Sequence, residues 1–188
     1  MLVMGLFMAR IPKRWDGSGH WYFVTVVTLL RQPVFADERA CKVLQSAFHE
    51  VHHYHPFRLA ALVMLPDHWH ALIRPGVRNT NEVGTQPAET QPSAETQPPA
   101  GAQPAGAQPR PTKVVIEEVV GAVKKNVLRD LQMKRSTIWQ ARFLDHRIRD
   151  EDDFLHHLEY IRFNPLKHGY VTEPDQYEWC FIHNRPFG

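Results

Sequence analysis

The sequence has few cysteines and no long apolar run. Cys41 and Cys180 are the only cysteines among its 188 residues, and they form no C-x-x-C spacing. This pattern provides neither a zinc knuckle nor a disulfide framework and favours the reducing cytosol. No apolar run reaches the roughly 20 residues of a membrane-spanning helix. Segment 1–8 is apolar but short, and the basic residues that follow it are in the wrong order for a signal peptide. We therefore expect a cytoplasmic protein without a membrane partner.

The chain also lacks a strong net charge. Its formal charge is +2, so the overall charge does not identify a nucleic-acid partner. The distribution is more informative, because nine Lys and Arg oppose four Asp and Glu between Lys113 and Arg149. A basic block of this kind is compatible with a phosphate-binding surface. Two solvated helix faces are an equally good explanation on charge alone.

Large apolar residues are almost absent from one central segment, from Gly76 to Pro111. In that segment Thr-Gln-Pro recurs at 85–87, 90–92 and 96–98, and Ala-Gln-Pro recurs at 102–104 and 107–109. Such a tract buries too little surface to offset its ordering entropy, and proline keeps it extended. We predict a disordered Pro/Gln/Ala-rich insert at about 76–112. Because neither flank completes a layered fold, we predict a single domain over residues 1–188.

The flanks of this segment show clear periodicities. Apolar and β-branched patterns predict four strands, at His20–Leu30, Phe57–Leu65, His68–Arg74 and Ile138–Ile148. Amphipathic patterns predict three helices, at Ala36–His53, Val114–Met133 and Asp150–Phe163. The last helix is expected to stop before Pro165, and the tail to dock on the core through Trp179 and Phe181. The order predicts an α+β fold with a ferredoxin-like β-α-β-β-α-β antiparallel sheet and a C-terminal helix. That fold serves many functions and does not identify one.

One candidate for chemistry is His68-Trp69-His70. Side chains alternate along a strand, so both histidines point to one face and Trp69 to the other. Their Cβ atoms are expected about 7 Å apart, which allows both imidazoles to bind one metal ion. Two ordinary histidines fit the same pattern, and a third ligand has to come from another element.

The last predicted helix carries the second candidate. Its apolar stripe follows an i, i+4, i+7 spacing and comprises Phe154, Leu158 and Ile161. At about 100° per residue, Tyr160 lies roughly 130° from the centre of this stripe and is not placed as a core aromatic. His157 and Asn164 share its polar flank within about 60°. Asn164 is a candidate third metal ligand, because carbonyl oxygens suit hard divalent ions. The pair Asn164-Pro165 is equally typical of a helix stop.

These residue types permit one reaction in particular. A tyrosine can attack a phosphodiester and keep the bond energy in a phosphotyrosine intermediate, so that the reverse step joins strands. A metal ion can neutralise the non-bridging oxygens. A phenol of pKa ~10 also needs a base or a positive field at neutral pH. His157 or a nearby Lys or Arg can supply it.

Three segments together resemble REP-associated tyrosine transposases, which are bacterial members of the HUH endonuclease superfamily. The segments are Leu65-Pro66-Asp67-His68-Trp69-His70, Trp139-Gln140-Ala141-Arg142-Phe143-Leu144-Asp145-His146 and Tyr160-Ile161-Arg162-Phe163-Asn164-Pro165-Leu166-Lys167-His168-Gly169. The resemblance covers roughly residues 20–181, except the Pro/Gln insert.

The resemblance implies roles for individual residues. His68 and His70 are then metal ligands, Asn164 occupies the position of a third ligand, and Tyr160 is the nucleophile. The implied ion is Mg²⁺ or Mn²⁺. The implied substrate is single-stranded DNA beside a palindromic hairpin, cleaved to a 5′-phosphotyrosine and a free 3′-OH. The implied location is the bacterial cytoplasm, with nucleoid association when DNA is bound, and the oligomeric state stays open between monomer and dimer. The expected DNA contacts are Lys124, Lys125, Arg142, Arg162, Lys167 and His168.

Two functions of other classes compete with this one. A non-catalytic single-strand-binding module with a ferredoxin-like fold predicts base-stacking aromatics, for which Trp21 and Phe23 qualify, and needs no metal. A zinc hydrolase predicts a general-base Glu beside the histidines, and the local sequence contains none. Tight zinc binding favours the hydrolase, whereas weak Mg²⁺ or Mn²⁺ dependence favours strand transfer.

Other residues compete for the same roles. Tyr22, Tyr170 and Tyr177 are alternative nucleophiles, of which Tyr170 is the best placed because it follows the expected end of the last helix. The run of three histidines at 52, 53 and 55 suggests a second metal site. We favour a solvated helix end there, because histidine suits the carbonyl dipole.

Overall fold

The structure is a computed structural model that describes residues 19–78, 112–133 and 138–183. Within these ranges no helix is long and apolar enough to cross a membrane. Most of the insert predicted at about 76–112 falls on residues 79–111, which lie outside the described residues, so its disorder stays a prediction there; at its edges the prediction is wrong, because Val77, Arg78 and Thr112 lie in strands. The chain on either side of that segment pairs as two short strands, β4 (Val77–Arg78) and β5 (Thr112–Lys113). The two ends of the insert are therefore adjacent.

The central feature is a five-stranded antiparallel sheet with the order β6-β1-β3-β2-β7. Its strands are β1 (Tyr22–Val27), β2 (Phe57–Leu65), β3 (His68–Pro75), β6 (Leu144–Arg147) and β7 (Cys180–Ile182). The helices are α1 (Glu38–Tyr54), α2 (Ile116–Asp130) and α3 (Glu151–Lys167). Strands β1, β2, β3 and β6 have the predicted ferredoxin-like order, which confirms the α+β class. The tail adds β7 as an unpredicted fifth strand against β2.

The alternation of side chains in β3 divides the core into two layers. Trp69, Ala71 and Ile73 belong to the core cluster that contains the buried residues of α1 and α2. Leu72 belongs to the other cluster, which contains Phe154 and Ile161 of α3. Because residues two apart share a face, the even-numbered residues of β3 lie on the α3 side. The strand thus directs both of its histidines towards the helix that carries the candidate tyrosine.

Helix α3 does not stop where the sequence predicts. Asp150 caps its start by accepting a hydrogen bond from the N–H of Asp153 at 2.9 Å, as expected of an N-cap. The helix then continues through Pro165 to Lys167, so the predicted end before Pro165 is wrong. Proline lacks an N–H and leaves the carbonyl four residues earlier without its helical partner. Here the thiol of Cys180 lies 3.9 Å from the Ile161 carbonyl, which makes the proline easier to accommodate.

Strand β6 is shorter than predicted. The predicted strand began at Ile138, but only Leu144–Arg147 pair with β1, and an isolated bridge joins Thr28 to Trp139. Helix α2 also holds the chain at this bridge. The indole N–H of Trp139 donates to the Lys124 carbonyl at 3.1 Å, and the Lys124 ammonium donates to the Gln140 carbonyl at 2.9 Å. These bonds add to the backbone bonds that Ile138 and Gln140 form with Leu29 and Val27.

Asp153 is expected to stabilise the fold in a pH-dependent way. Burial raises the pKa of its carboxyl, but hydrogen bonds from His146 and from Arg149 outweigh burial and hold the pKa well below its usual range. A carboxyl whose pKa is lower in the folded state than in the unfolded state stabilises the fold at pH values above its unfolded-state pKa. This contribution is lost as the pH falls towards the folded-state pKa. We expect Asp153→Asn to lower the free energy of unfolding by about 2 kcal/mol at pH 7 and by clearly less near pH 2, where the carboxyl of the folded state begins to take up a proton. Denaturant titrations at both pH values measure the difference, with exposed Asp152→Asn as the control. An equal loss at both pH values contradicts this explanation.

Candidate active site

The structure brings His68 and His70 together on β3, on the face that α3 covers. Their ring centroids are 4.8 Å apart. Both side chains are buried, with 7% of His68 and 4% of His70 exposed. Two imidazoles at this separation, held by one rigid strand, can share a metal ion.

One nitrogen of each imidazole is already engaged. The Nδ1 of His68 donates to the carboxylate of Asp67, and the Nδ1 of His70 lies 2.8 Å from the hydroxyl oxygen of Thr25 on β1. The Nε2 of His70 is buried and has no hydrogen-bond partner within the described ranges. Metal-binding histidines typically use one nitrogen for an outer hydrogen bond and the other for the ion. This pattern leaves Nε2 of each ring for a metal.

The protonation of the two histidines suits the same role. Burial, together with the neighbouring His68 and His168, lowers the pKa of His70 to about 3. Burial also lowers the pKa of His68, although Asp67 opposes this effect. Both rings are therefore neutral near pH 7, and only neutral imidazole binds a metal ion.

Asn164 supplies a further buried oxygen. Only 1% of the residue is exposed, and among the residues that the structure describes neither its Oδ1 nor its Nδ2 has a hydrogen-bond partner. Leaving such a group unpaired is costly, so a buried amide of this kind calls for a ligand or a functional explanation. Two neutral imidazoles and one amide oxygen form a donor set that accommodates a divalent ion. His68, His70 and Asn164 thus fit a bound metal.

Tyr160 lies beside these residues, one helical turn before Asn164. Its ring centroid is 5.4 Å from that of His70 and 5.6 Å from that of Phe23. The ammonium of Lys167 lies 5.5 Å from the centre of the tyrosine ring. A cation at this distance interacts favourably with an aromatic face. The tyrosine is half-buried, and its ring lies beside His70 without being part of the core.

The C-terminal end of α3 adds exposed basic residues to the same place. The ring of His168 lies 5.7 Å from that of His68, and Lys167 contacts Tyr160 as described. Both residues are exposed. Of the six expected DNA contacts, these two are the ones that touch the candidate site.

The other four expected DNA contacts have different surroundings. Lys124 is buried and bonded to the chain after α2, which gives a phosphate little access to it. Arg162 forms a two-pronged ion pair with Asp175, with its Nη2 at 2.6 Å from the carboxylate. Lys125 and Arg142 are exposed. DNA binding by all four stays a prediction.

Two of the aromatic residues in the competing explanations, Trp21 and Tyr177, are placed differently from what those explanations need. Trp21 is buried against Phe154 and cannot receive a base without rearrangement. The Tyr177 hydroxyl donates to the Met64 carbonyl at 2.8 Å, and burial raises its pKa well above the usual range. Tyr170 is exposed and stacks on His168, so it stays the alternative nucleophile.

Sequence reasoning missed the residues that support the histidines. The predictions from sequence give Asp67 no role of its own, and they place Thr25 only within the strand His20–Leu30. The signal for Asp67 is its position directly before the first histidine, because a carboxylate there can orient the ring. Thr25 carries no local signal, since its contact with His70 depends on the pairing of β1 with β3.

Removing the Asp67 carboxylate is expected to weaken metal binding. Outer-shell partners of this kind are worth about 10–100-fold in metal affinity, so we expect Asp67→Asn to raise the Kd for Mn²⁺ about tenfold or more. Electron paramagnetic resonance of free Mn²⁺ measures the Kd. Asp145→Asn, which changes an exposed carboxylate on β6, is the matched control. Equal affinities for the two variants contradict the orienting role.

Comparisons with known proteins bear on this site and its scaffold. No family model matches the chain. The chain is 27% identical over 167 residues to a Haemophilus influenzae protein assigned as a REP-associated tyrosine transposase, covering 88% of this chain and 81% of that protein. It is 26% identical over 176 residues to the REP-associated tyrosine transposase of Escherichia coli, covering 94% and 84% respectively.

The fold has a counterpart among solved structures. A structure of a REP-associated tyrosine transposase bound to a REP hairpin matches with a TM-score of 0.59 and 24% identity, over 87% of this chain and 76% of that chain. At this identity the match supports the fold. The resemblance to REP-associated tyrosine transposases that the three motifs indicate is therefore confirmed over most of the chain, in sequence and in fold.

Proposed function

We propose that this protein is a metal-dependent single-stranded DNA endonuclease and strand transferase that cuts beside palindromic hairpins through a 5′-phosphotyrosine intermediate. The observation that carries the proposal is the convergence of His68, His70 and Tyr160 on one face of the sheet, with the unpaired Asn164 one helical turn further along α3. The curated relatives named as tyrosine transposases support the same activity. The protein is expected to meet its DNA in the bacterial cytoplasm.

In the proposed reaction, Tyr160 Oη attacks the phosphorus of a phosphodiester. A bond forms between Oη and phosphorus, and the bond from phosphorus to the 3′ oxygen of the preceding nucleotide breaks. That oxygen takes up a proton and becomes a free 3′-OH, while the phenol proton leaves to solvent. The phosphate stays on the 5′ oxygen of the following nucleotide. One phosphoester replaces another, so attack by a 3′-OH on the phosphotyrosine joins strands without an external energy source.

The surrounding residues have separate tasks in this scheme. His68, His70 and Asn164 hold the divalent ion, for which we propose Mg²⁺ or Mn²⁺ and which supplies charge neutralisation at the phosphate oxygens when bound. The ammonium of Lys167 places positive charge against the Tyr160 ring, where the attacking oxygen becomes negative. Its exposed neighbour His168 is positioned to meet the phosphate backbone beside the histidine pair.

The hairpin preference rests on the solved relative, which is described as bound to a REP hairpin. A pool of labelled single-stranded genomic hairpins, incubated with the wild-type protein and Mn²⁺ and separated on a denaturing gel, tests the proposal. We expect a shorter DNA product with a free 3′-OH and a covalent protein–DNA band, both of which disappear with chelator. The fully duplex form of the same sequences is the matched control and is expected to stay intact. If the hairpins bind but none gives a covalent band, the result favours the non-catalytic binding module. If Zn²⁺ supports cleavage that leaves a free 5′-phosphate on the DNA, the result favours a hydrolase.

Lys167 is expected to contribute to both binding and cleavage. Each lost phosphate contact lowers the slope of log affinity against log salt by about 0.7 for single strands, so Lys167→Met should reduce the slope by about that amount and slow cleavage. Hairpin affinities measured at several salt concentrations give the slope. Lys42→Met is the matched control, because Lys42 lies on α1 on the opposite face of the sheet and pairs with Glu38. A slope identical to that of the control excludes Lys167 as a phosphate contact.

A further inference from the structure

We propose that His146, Asp153 and His157 form a second metal site, for a transition ion of the zinc class, where β6 meets the start of α3. One ligand atom from each of the three side chains lies within 4.8 Å of the others. The three residues come from two elements, with His146 on the edge strand and the other two one turn apart on the helix. The cluster shares no residue with the candidate metal ligands His68, His70 and Asn164.

The geometry places the carboxylate between the two imidazoles. Asp153 Oδ2 lies 2.9 Å from Nε2 of His146, and Asp153 Oδ1 lies 3.2 Å from Nδ1 of His157. The two rings stack with centroids 4.8 Å apart and an interplanar angle of 20°. Two imidazoles and one carboxylate are a common protein ligand set for Zn²⁺, which leaves an open position for water.

The neighbours of the cluster act as the outer shell of such a site. The backbone N–H and the guanidinium Nε of Arg149 donate to Asp153 Oδ2, at 3.1 and 3.2 Å, and so fix the carboxylate. The Nδ1 of His157 donates to the Asp153 carbonyl at 2.8 Å, which sets the ring and leaves Nε2 as its lone-pair nitrogen. Outer hydrogen bonds of this kind orient metal ligands. Oδ1, which Arg149 does not contact, is the carboxylate oxygen that we assign to the ion.

The site is buried on its inner side and open on its outer side. The side chain of Asp153 is 7% exposed, whereas that of His146 is 42% exposed. An ion can therefore enter from solvent past His146. On the inner side, the Phe23 ring packs against His157 with centroids 4.6 Å apart and excludes water.

The same phenylalanine connects the cluster to the candidate active site. Phe23 stacks on His70 at 5.2 Å and meets Tyr160 edge-on at 5.6 Å. An ion held by both β6 and α3 ties the edge strand to the helix that carries Tyr160. Its task is thus to fix the position of α3. Binding of the ion does not depend on the proposed DNA cleavage, and the ion takes part in no step of it.

The test uses the full-length protein, stripped with chelator, in a His68→Gln, His70→Gln background that removes the first candidate site. Co²⁺ titration followed by visible absorption reports coordination by nitrogen and oxygen, and Zn²⁺ competition gives the zinc Kd. We expect one Co²⁺ per chain and a rise in Tm of about 5 °C when zinc exceeds its Kd a hundredfold. Adding His146→Ala or His157→Gln should weaken binding at least about tenfold. Circular dichroism verifies that each variant is folded.

A matched control guards against ordinary surface histidines. His49 and His53 lie one turn apart on α1 with ring centroids 5.3 Å apart, and both are exposed. His49→Ala with His53→Ala should leave the cobalt spectrum and the zinc Kd unchanged. The proposal is overturned if these substitutions remove binding, or if His146→Ala and His157→Gln leave binding intact. It is also overturned if no cobalt binds at about 1 mM, since a Kd of that size corresponds to only about 4 kcal/mol of binding free energy. Failure of DNA cleavage leaves this metal readout unaffected, so the two proposals fail separately.

Discussion

Replacing Tyr160 by phenylalanine is expected to abolish the covalent protein–DNA product and to slow cleavage on the order of 10⁴-fold. The substitution removes the oxygen that forms the bond to phosphorus, and loss of a nucleophile typically has an effect of this size. The ring remains, so its contacts with His70, Phe23 and Lys167 are kept. The Tm should therefore change by less than about 2 °C. Hairpin affinity should stay within about twofold, because phosphate contacts dominate it.

Tyr170→Phe provides the matched control for this prediction. Tyr170 is also near the end of α3 and stacks on His168, so it is the nearest alternative nucleophile. The gel assay with Mn²⁺ and the hairpin pool should show a normal covalent band for Tyr170→Phe. A band that persists in Tyr160→Phe and vanishes in Tyr170→Phe transfers the nucleophile to Tyr170 and contradicts the assignment.

Replacing Asn164 by leucine is expected to separate stability from activity. The amide of Asn164 is buried and, within the described part of the chain, unpaired. Leucine has nearly the same shape and leaves no polar atom without a partner. We expect the free energy of unfolding to rise by about 1–2 kcal/mol in the presence of chelator. Cleavage in Mn²⁺ should fall at least about a hundredfold, because the variant lacks the oxygen that we propose as a metal ligand.

The control for Asn164→Leu is an asparagine whose amide is bonded. Nδ2 of Asn126 on α2 donates to Glu50 of α1 at 3.1 Å, so Asn126→Leu should destabilise the fold and leave cleavage intact. Denaturant titration and the cleavage assay are applied to both variants. If Asn164→Leu is destabilised like the control and binds Mn²⁺ with wild-type affinity, Asn164 has only a structural role.

Much of the sheet and part of the site can be predicted from local patterns. The predicted strand Phe57–Leu65 has the observed bounds, because a continuous apolar run with turn residues after it has few other solutions. The alternation of His68-Trp69-His70 correctly places both histidines on one face. Helical spacing correctly keeps Tyr160 out of the apolar stripe. These features depend only on strand and helix periods, which the sequence carries directly.

The remaining features depend on contacts between distant segments. The continuation of α3 through Pro165 is accompanied by the Cys180 thiol near Ile161, and the interruption before β6 follows a segment that is bonded both to Val27 and to Lys124 of α2. The sequence patterns place Asp153 only within the predicted helix Asp150–Phe163. Its position between two histidines becomes apparent only when β6 packs beside α3.

Mass spectrometry of the covalent complex tests the central claim most directly. The wild-type protein is trapped on a cleaved hairpin in Mn²⁺, digested with protease and nuclease, and the nucleotide-bearing peptide is sequenced. We predict one nucleotide attached through its 5′-phosphate to Tyr160. Attachment to any other residue, a 3′-phosphate linkage, or cleavage that proceeds without a protein-bound nucleotide contradicts the claim that Tyr160 is the nucleophile of a strand-transfer reaction.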